Sequence, residues 1–164
     1  MNWHFILTAG HIIGTVLGVG GATFAEIFYL KSARDGIIDQ TESGFLKTTY
    51  FIMRLGMIIL LFSGFGYLIW YRFTGQEALM YNPRFWAKMT VVLTIVINAL
   101  LLQAKKISLN AGSAVSLTSW YGAMILGSWR GLEAGYLQIL IFYTASVIAV
   151  YFILKTIKNK IKTK

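Results

Sequence analysis

The sequence predicts an all-α fold: a polytopic integral membrane helix bundle of about five transmembrane helices, N-terminus outside and C-terminus in the cytoplasm. Three observations carry that expectation. The 164-residue chain holds four long apolar runs, each near the roughly 20 residues that cross a hydrocarbon core of about 30 Å. Its residues are 57% hydrophobic and 13% charged, whereas soluble domains are nearer about half and about a quarter. Most of the positive charges lie between and after the runs rather than within them.

One domain, 1–164, is expected at this length. Helix 1 is read over 5–30, helix 2 over 48–71, helix 3 over 85–103 and the last clear span over 135–154. A basic cytoplasmic tail follows at 155–164. Between the third and last spans lies a shorter run, 114–129, of mixed Ser, Thr, Gly and aromatic content. At ~1.5 Å per residue it covers only about 24 Å. Charge decides whether it crosses. If it does, one side holds ten basic residues: Lys31, Arg34, Lys47, Lys105, Lys106 and tail lysines 155, 158, 160, 162 and 164. The other side then holds four: Arg72, Arg84, Lys88 and Arg130. If it does not, the split is eight against six. The positive-inside rule selects five spans, N-out/C-in.

Smaller signals agree with that plan. Met1-Asn2-Trp3-His4 lacks the basic n-region of a signal peptide, so helix 1 is expected to be retained. Pro83, the only proline, stands where a helix can start. Trp70, Tyr71, Trp86 and Trp129 fall at the expected outer interface. The net charge of +9 sits where lysines read topology and meet anionic lipid headgroups. The expected location is therefore the cell (inner) membrane, the expected partner the lipid bilayer, and nucleic acid is not a partner. The absence of cysteine excludes disulfides, thiolate metal sites and thioether-linked haem.

Helix 1 is the most informative segment. Gly10, Gly14 and Gly18 are spaced i, i+4, i+8, with Gly20, Gly21, Ala22 and Ala25 beyond them. Such a small-xxx-small stripe admits a close neighbour, either another helix or the same stripe in a homo-oligomer. A planar cofactor is the alternative neighbour. His4 and His11, the only histidines, are seven residues apart and so point nearly the same way. An imidazole beside a glycine face is the arrangement a haem b would use, with His11 as the iron ligand and Gly14, Gly18 and Gly21 as the flat wall.

The segments His11-Ile12-Ile13-Gly14, Leu17-Gly18-Val19-Gly20-Gly21-Ala22, Phe85-Trp86-Ala87-Lys88-Met89 and Leu117-Thr118-Ser119-Trp120-Tyr121 resemble a group of small bacterial membrane proteins. The likeness extends over nearly the whole chain and implies no activity. More distantly, a histidine-bearing helix bundle looks like the cytochrome b561 and CopD-type membrane proteins, which ligate haem by histidines from two or more helices. This chain departs from that pattern, since both histidines are on helix 1. Under that resemblance the second ligand falls to Met89, Met124 or a symmetry mate.

A second candidate site is polar. Glu26 lies one turn from the inner end of helix 1, and Arg54 about two turns into helix 2 from the same side. Asn98, Ser116, Thr118 and Ser119 come out at comparable depth. Ionisable residues inside a membrane are costly and mark function by default. The expected pairing is Glu26 with Arg54, as a bundle-locking ion pair or as part of a polar vestibule for a proton, ion or anionic headgroup. The stretch 35–42 copies the second half of an EF-hand loop, but Lys31 and Ala33 stand where oxygen ligands are required. No nucleophile–base set, phosphate loop or HExxH motif is present. Two functional expectations remain. One is a haem-associated redox protein using His11. The other is a non-enzymatic channel, transporter or accessory subunit organised around Glu26, Arg54 and Asn98.

Overall fold

The computed structural model describes residues 2–32, 39–129 and 131–162. They form five α-helices, α1 (Trp3–Ser32), α2 (Gln40–Phe73), α3 (Pro83–Gln103), α4 (Leu109–Ser128) and α5 (Tyr136–Lys162), with a 3₁₀ turn at Glu77–Tyr81 between α2 and α3. No strand occurs among the described residues. Four helices, α1, α2, α3 and α5, are long and apolar enough to cross a membrane. Large apolar side chains such as Phe62, Phe73 and Phe142 stand exposed on the outside, which a water-facing surface rarely tolerates in quantity.

Local signals set the ends. Asp39 and Glu42 form a capping box: the Asp39 carboxylate accepts from Glu42 N at 2.7 Å and the Glu42 carboxylate from Asp39 N at 3.2 Å. These two members of the EF-hand-like stretch are thus committed to a helix start. Asp35 and Gly36 lie outside the described residues. Asn82 caps α3 with Pro83 in its first turn, and Ser108 caps α4 by accepting from Ala111 N. Side-chain caps of this kind contribute about 1 kcal/mol each. Beyond α2, Gly75 takes φ +68, and beyond α3, Lys105 takes φ +55. Lys105 N donates to Leu102 O and Lys106 N to Leu101 O, the paired bonds that satisfy the last carbonyls of a helix.

These ends revise the sequence expectation. The Ser108 cap starts α4 at Leu109 rather than 114, giving 20 residues, or about 30 Å. Helix α2 begins at Gln40 rather than 48. Helix α5 runs on through the basic segment to Lys162, so most of the expected tail is helix.

Successive helices run up and down. α1 packs along α2, α3 along α4, and α4 touches α1 and α5 as well. The glycine stripe explains the first contact. A Cβ on Gly14 would lie 2.8 Å from Leu60 N and 2.9 Å from Gly56 O, and one on Gly56 would lie 2.8 Å from Gly14 O. The two backbones touch where neither helix has a side chain. A Cβ on Gly18 would fall inside the Trp120 ring, and one on Gly21 would meet the Met53 side chain. Trp120, 1% exposed, anchors a core with Ala22, Leu60, Ala87, Val91 and Ile95. The stripe is therefore covered by α2 and α4 of the same chain. Gly14, Gly18 and Gly21, expected from the sequence to admit a close neighbour, have that neighbour within the chain.

Candidate functional site

Helix order leaves one side of the bundle open. In the sequence of packed neighbours α2–α1–α4–α3, each adjacent pair is in contact, but α2 and α3 are not packed along one another. The gap between them holds a cavity of about 200 Å³. It lies in the half of the bundle nearest the α1–α2 and α3–α4 connections. Each helix lines it with one face. Tyr50, Met53, Arg54 and Met57 come from α2, and Ile95, Asn98, Ala99, Leu102 and Gln103 from α3, at i, i+3, i+4, i+7 spacing. Ala22, Ala25 and Glu26 of α1 and Ser113, Ser116 and Trp120 of α4 form the back.

The charges are arranged unevenly. Glu26 Oε1 lies 2.9 Å from Lys158 Nζ, with both side chains more than nine-tenths buried. Neither atom has a hydrogen-bond partner of good geometry, so the link is a contact ion pair rather than a directed hydrogen bond. Lys158 Nζ also stands 4.4 Å from the Tyr29 ring centroid, a favourable placement for a cation. Tyr50 is close enough to interact electrostatically with both Glu26 and Tyr29. Arg54 makes no ion pair with any described residue. The carboxylate of Glu26 is thus neutralised by α5, and Arg54 stands on the cavity wall without an ion-pair partner among the described residues.

Glu26, Arg54 and Asn98 therefore meet at one cavity, but the expected Glu26–Arg54 pair does not form. Lys158 takes that place. The sequence places it in the basic tail, because it sits in a run of lysines on a segment too polar to resemble a span. Asn98 Nδ2 donates to Gly112 O at 3.0 Å and ties α3 to α4. Ser116 lines the cavity, whereas Thr118 and Ser119 do not. Ser119 donates to Val115 O and meets Tyr143 OH at 2.6 Å, toward α5. Thr118 Oγ1 is buried without a hydrogen-bond partner among the described residues.

The histidine site has a different use. His11 Nδ1 and Ser63 Oγ are 3.0 Å apart, and Ser63 in turn donates to Leu60 O. His4 and His11 both pack edge-on against Tyr67, at 5.9 and 5.8 Å between centroids. Thr8 Oγ1 meets the Tyr67 hydroxyl at 2.6 Å. The histidines thus join the α1–α2 seam. The glycine face read from the sequence as a haem wall lies against Gly56, Leu60, Met53 and Trp120. Among the described residues no group of three or more His, Cys, Asp or Glu could hold a metal ion. Met89 is half-buried on α3 and Met124 is 37% exposed on α4. No family model, curated protein or solved structure matches this chain.

Proposed function

We propose that this chain is a multi-pass protein of the cell membrane, N-out/C-in, and that its cavity binds a small anion or anionic headgroup. It acts as a non-enzymatic transport or accessory component rather than as a redox protein. One observation carries the reading: Arg54 lines a cavity with its charge unmatched, while the acid beside it is already neutralised by Lys158. Arg54 is exposed on the cavity wall, and its guanidinium suits a carboxylate or phosphate because its fork of donors matches two oxygens at once. The ten-to-four distribution of basic residues supports that orientation, under which the cavity belongs to the cytoplasmic half.

The test uses purified full-length protein and three anionic probes: acetate, inorganic phosphate and dodecanoate. A ligand at 100 times its Kd stabilises the folded state by ~2.7 kcal/mol. At least one probe is expected to raise the thermal midpoint saturably in the wild type and not in Arg54→Gln. Equal responses of the two proteins to every probe would overturn the reading.

A further inference from the structure

We infer that the occupant of this cavity is an anionic amphiphile, an acid headgroup on a long acyl chain, entering sideways from the cytoplasmic leaflet between α2 and α3. The inference rests on the anion-binding reading above and adds the ligand class and its route. Four observations converge on it.

The cavity is closed by packed helices on three sides and open on the fourth, where α2 and α3 are not packed together. The two helices that border the opening carry exposed apolar side chains, Phe51, Leu55 and Ile58 on α2 and Ile97 and Leu100 on α3. Side chains of that kind face acyl chains, so the mouth opens into lipid.

The lining is graded along the bundle. Glu26, Arg54, Gln103 and Ser113 sit toward the helix connections, whereas Met57, Ile95 and Trp120 sit toward the middle. An amphiphile of the inner leaflet has the same polarity, headgroup at the interface and chain toward the midplane. The charge selects its sign, since Arg54 is the unmatched cation.

Size limits how much of the ligand enters. About 200 Å³ is less than the ~300–1,000 Å³ of sites that enclose a whole drug-sized molecule. The cavity therefore takes a headgroup and the first part of a chain, leaving the remainder in the cleft. Two methionines, Met53 and Met57, lie along the chain's path, and their unbranched thioethers adapt to irregular apolar partners.

The experiment reconstitutes the full chain in phosphatidylcholine nanodiscs and adds palmitate carrying a photoactivatable diazirine near its methyl end. Labelled residues are mapped by peptide mass spectrometry. Labelling is expected on α2 and α3 residues of the cleft, reduced at least fivefold by excess unlabelled palmitate and by Arg54→Gln. Hexadecanol, which shares the chain and lacks the charge, should not compete. Met57→Trp, which fills the chain's path and keeps Arg54, should block labelling. Labelling that palmitate does not compete away marks ordinary surrounding lipid and overturns the inference. An Arg54-dependent response to acetate or phosphate with no competable palmitate labelling also overturns it, yet leaves the anion site standing. If no anion of either kind acts through Arg54, both readings fall.

Discussion

Replacing Glu26 or Lys158 by leucine separates two charges that the fold buries together. The Nζ–Oε1 distance is 2.9 Å and the residues are 4% and 6% exposed, so either single change strands its partner in a medium that solvates it poorly. Breaking buried pairs in this way costs about 3–5 kcal/mol. For Glu26→Leu the stranded lysine keeps the Tyr29 ring, which retains about 0.5–2 kcal/mol of cation–π attraction. For Lys158→Leu the stranded carboxylate has no such neighbour, so this variant is expected to be the less stable. On the scaling of soluble domains of this size, ~2–4 °C per kcal/mol, the midpoints should fall by roughly 6–20 °C. The double leucine variant removes both charges and should recover most of the loss. Thermal unfolding followed by intrinsic tryptophan fluorescence reads all three, with Arg54→Leu combined with Glu26→Leu as the comparison. Independent sites add within about 0.5 kcal/mol. Additivity for Glu26 with Lys158, or rescue of Glu26→Leu by Arg54→Leu instead, would refute the assignment of the pair.

Two further outcomes follow from the packing and the charge distribution. Gly14→Val should lower the thermal midpoint by the equivalent of at least the ~1–3 kcal/mol typical of overpacking, because its side chain meets the α2 backbone. Gly20→Val, with nothing within 4 Å, should leave the midpoint within error, and equal effects would contradict the α1–α2 contact. Reporter fusions after Gln103 and after Gly131 should fall on opposite sides of the membrane, the first cytoplasmic. The same side for both would deny a crossing by α4.

Much of the fold was legible because membrane helices are written in long apolar runs and bounded by a few unambiguous residues, Pro83 and the flanking lysines among them. What the run lengths hid was polar helix. Residues 109–113, Leu-Asn-Ala-Gly-Ser, read as loop by hydropathy, yet Ser108 caps them and Gly112 lets α3 approach. Charge hid Lys158 in the same manner. A lysine in a basic run reads as solvated, and only the 2.9 Å approach of Lys158 to Glu26 shows that it reaches a buried acid. The glycines of helix 1 announced a close neighbour without naming it. An indole and a second backbone fill the notch that a porphyrin would need, and no local pattern in helix 1 distinguishes these occupants.

The open side of the bundle follows from where small residues were placed. Gly14 and Gly56 bring α1 and α2 into backbone contact, and the notch at Gly18 seats Trp120 and so fixes α4 against α1. Gly112, with the Asn98 bond, does the same for α3 and α4. Each closed seam has a glycine at its contact. The facing surfaces of α2 and α3 have none: Tyr50, Met53, Arg54 and Met57 oppose Ile95, Asn98, Leu102 and Gln103, with Ala99 the smallest side chain between them. Burying Arg54 in such a seam would require a partner for its charge, and Glu26 is already taken. The pairing of Glu26 with Lys158 thus has two effects, tying the end of α5 to α1 and leaving Arg54 without an ion-pair partner among the described residues.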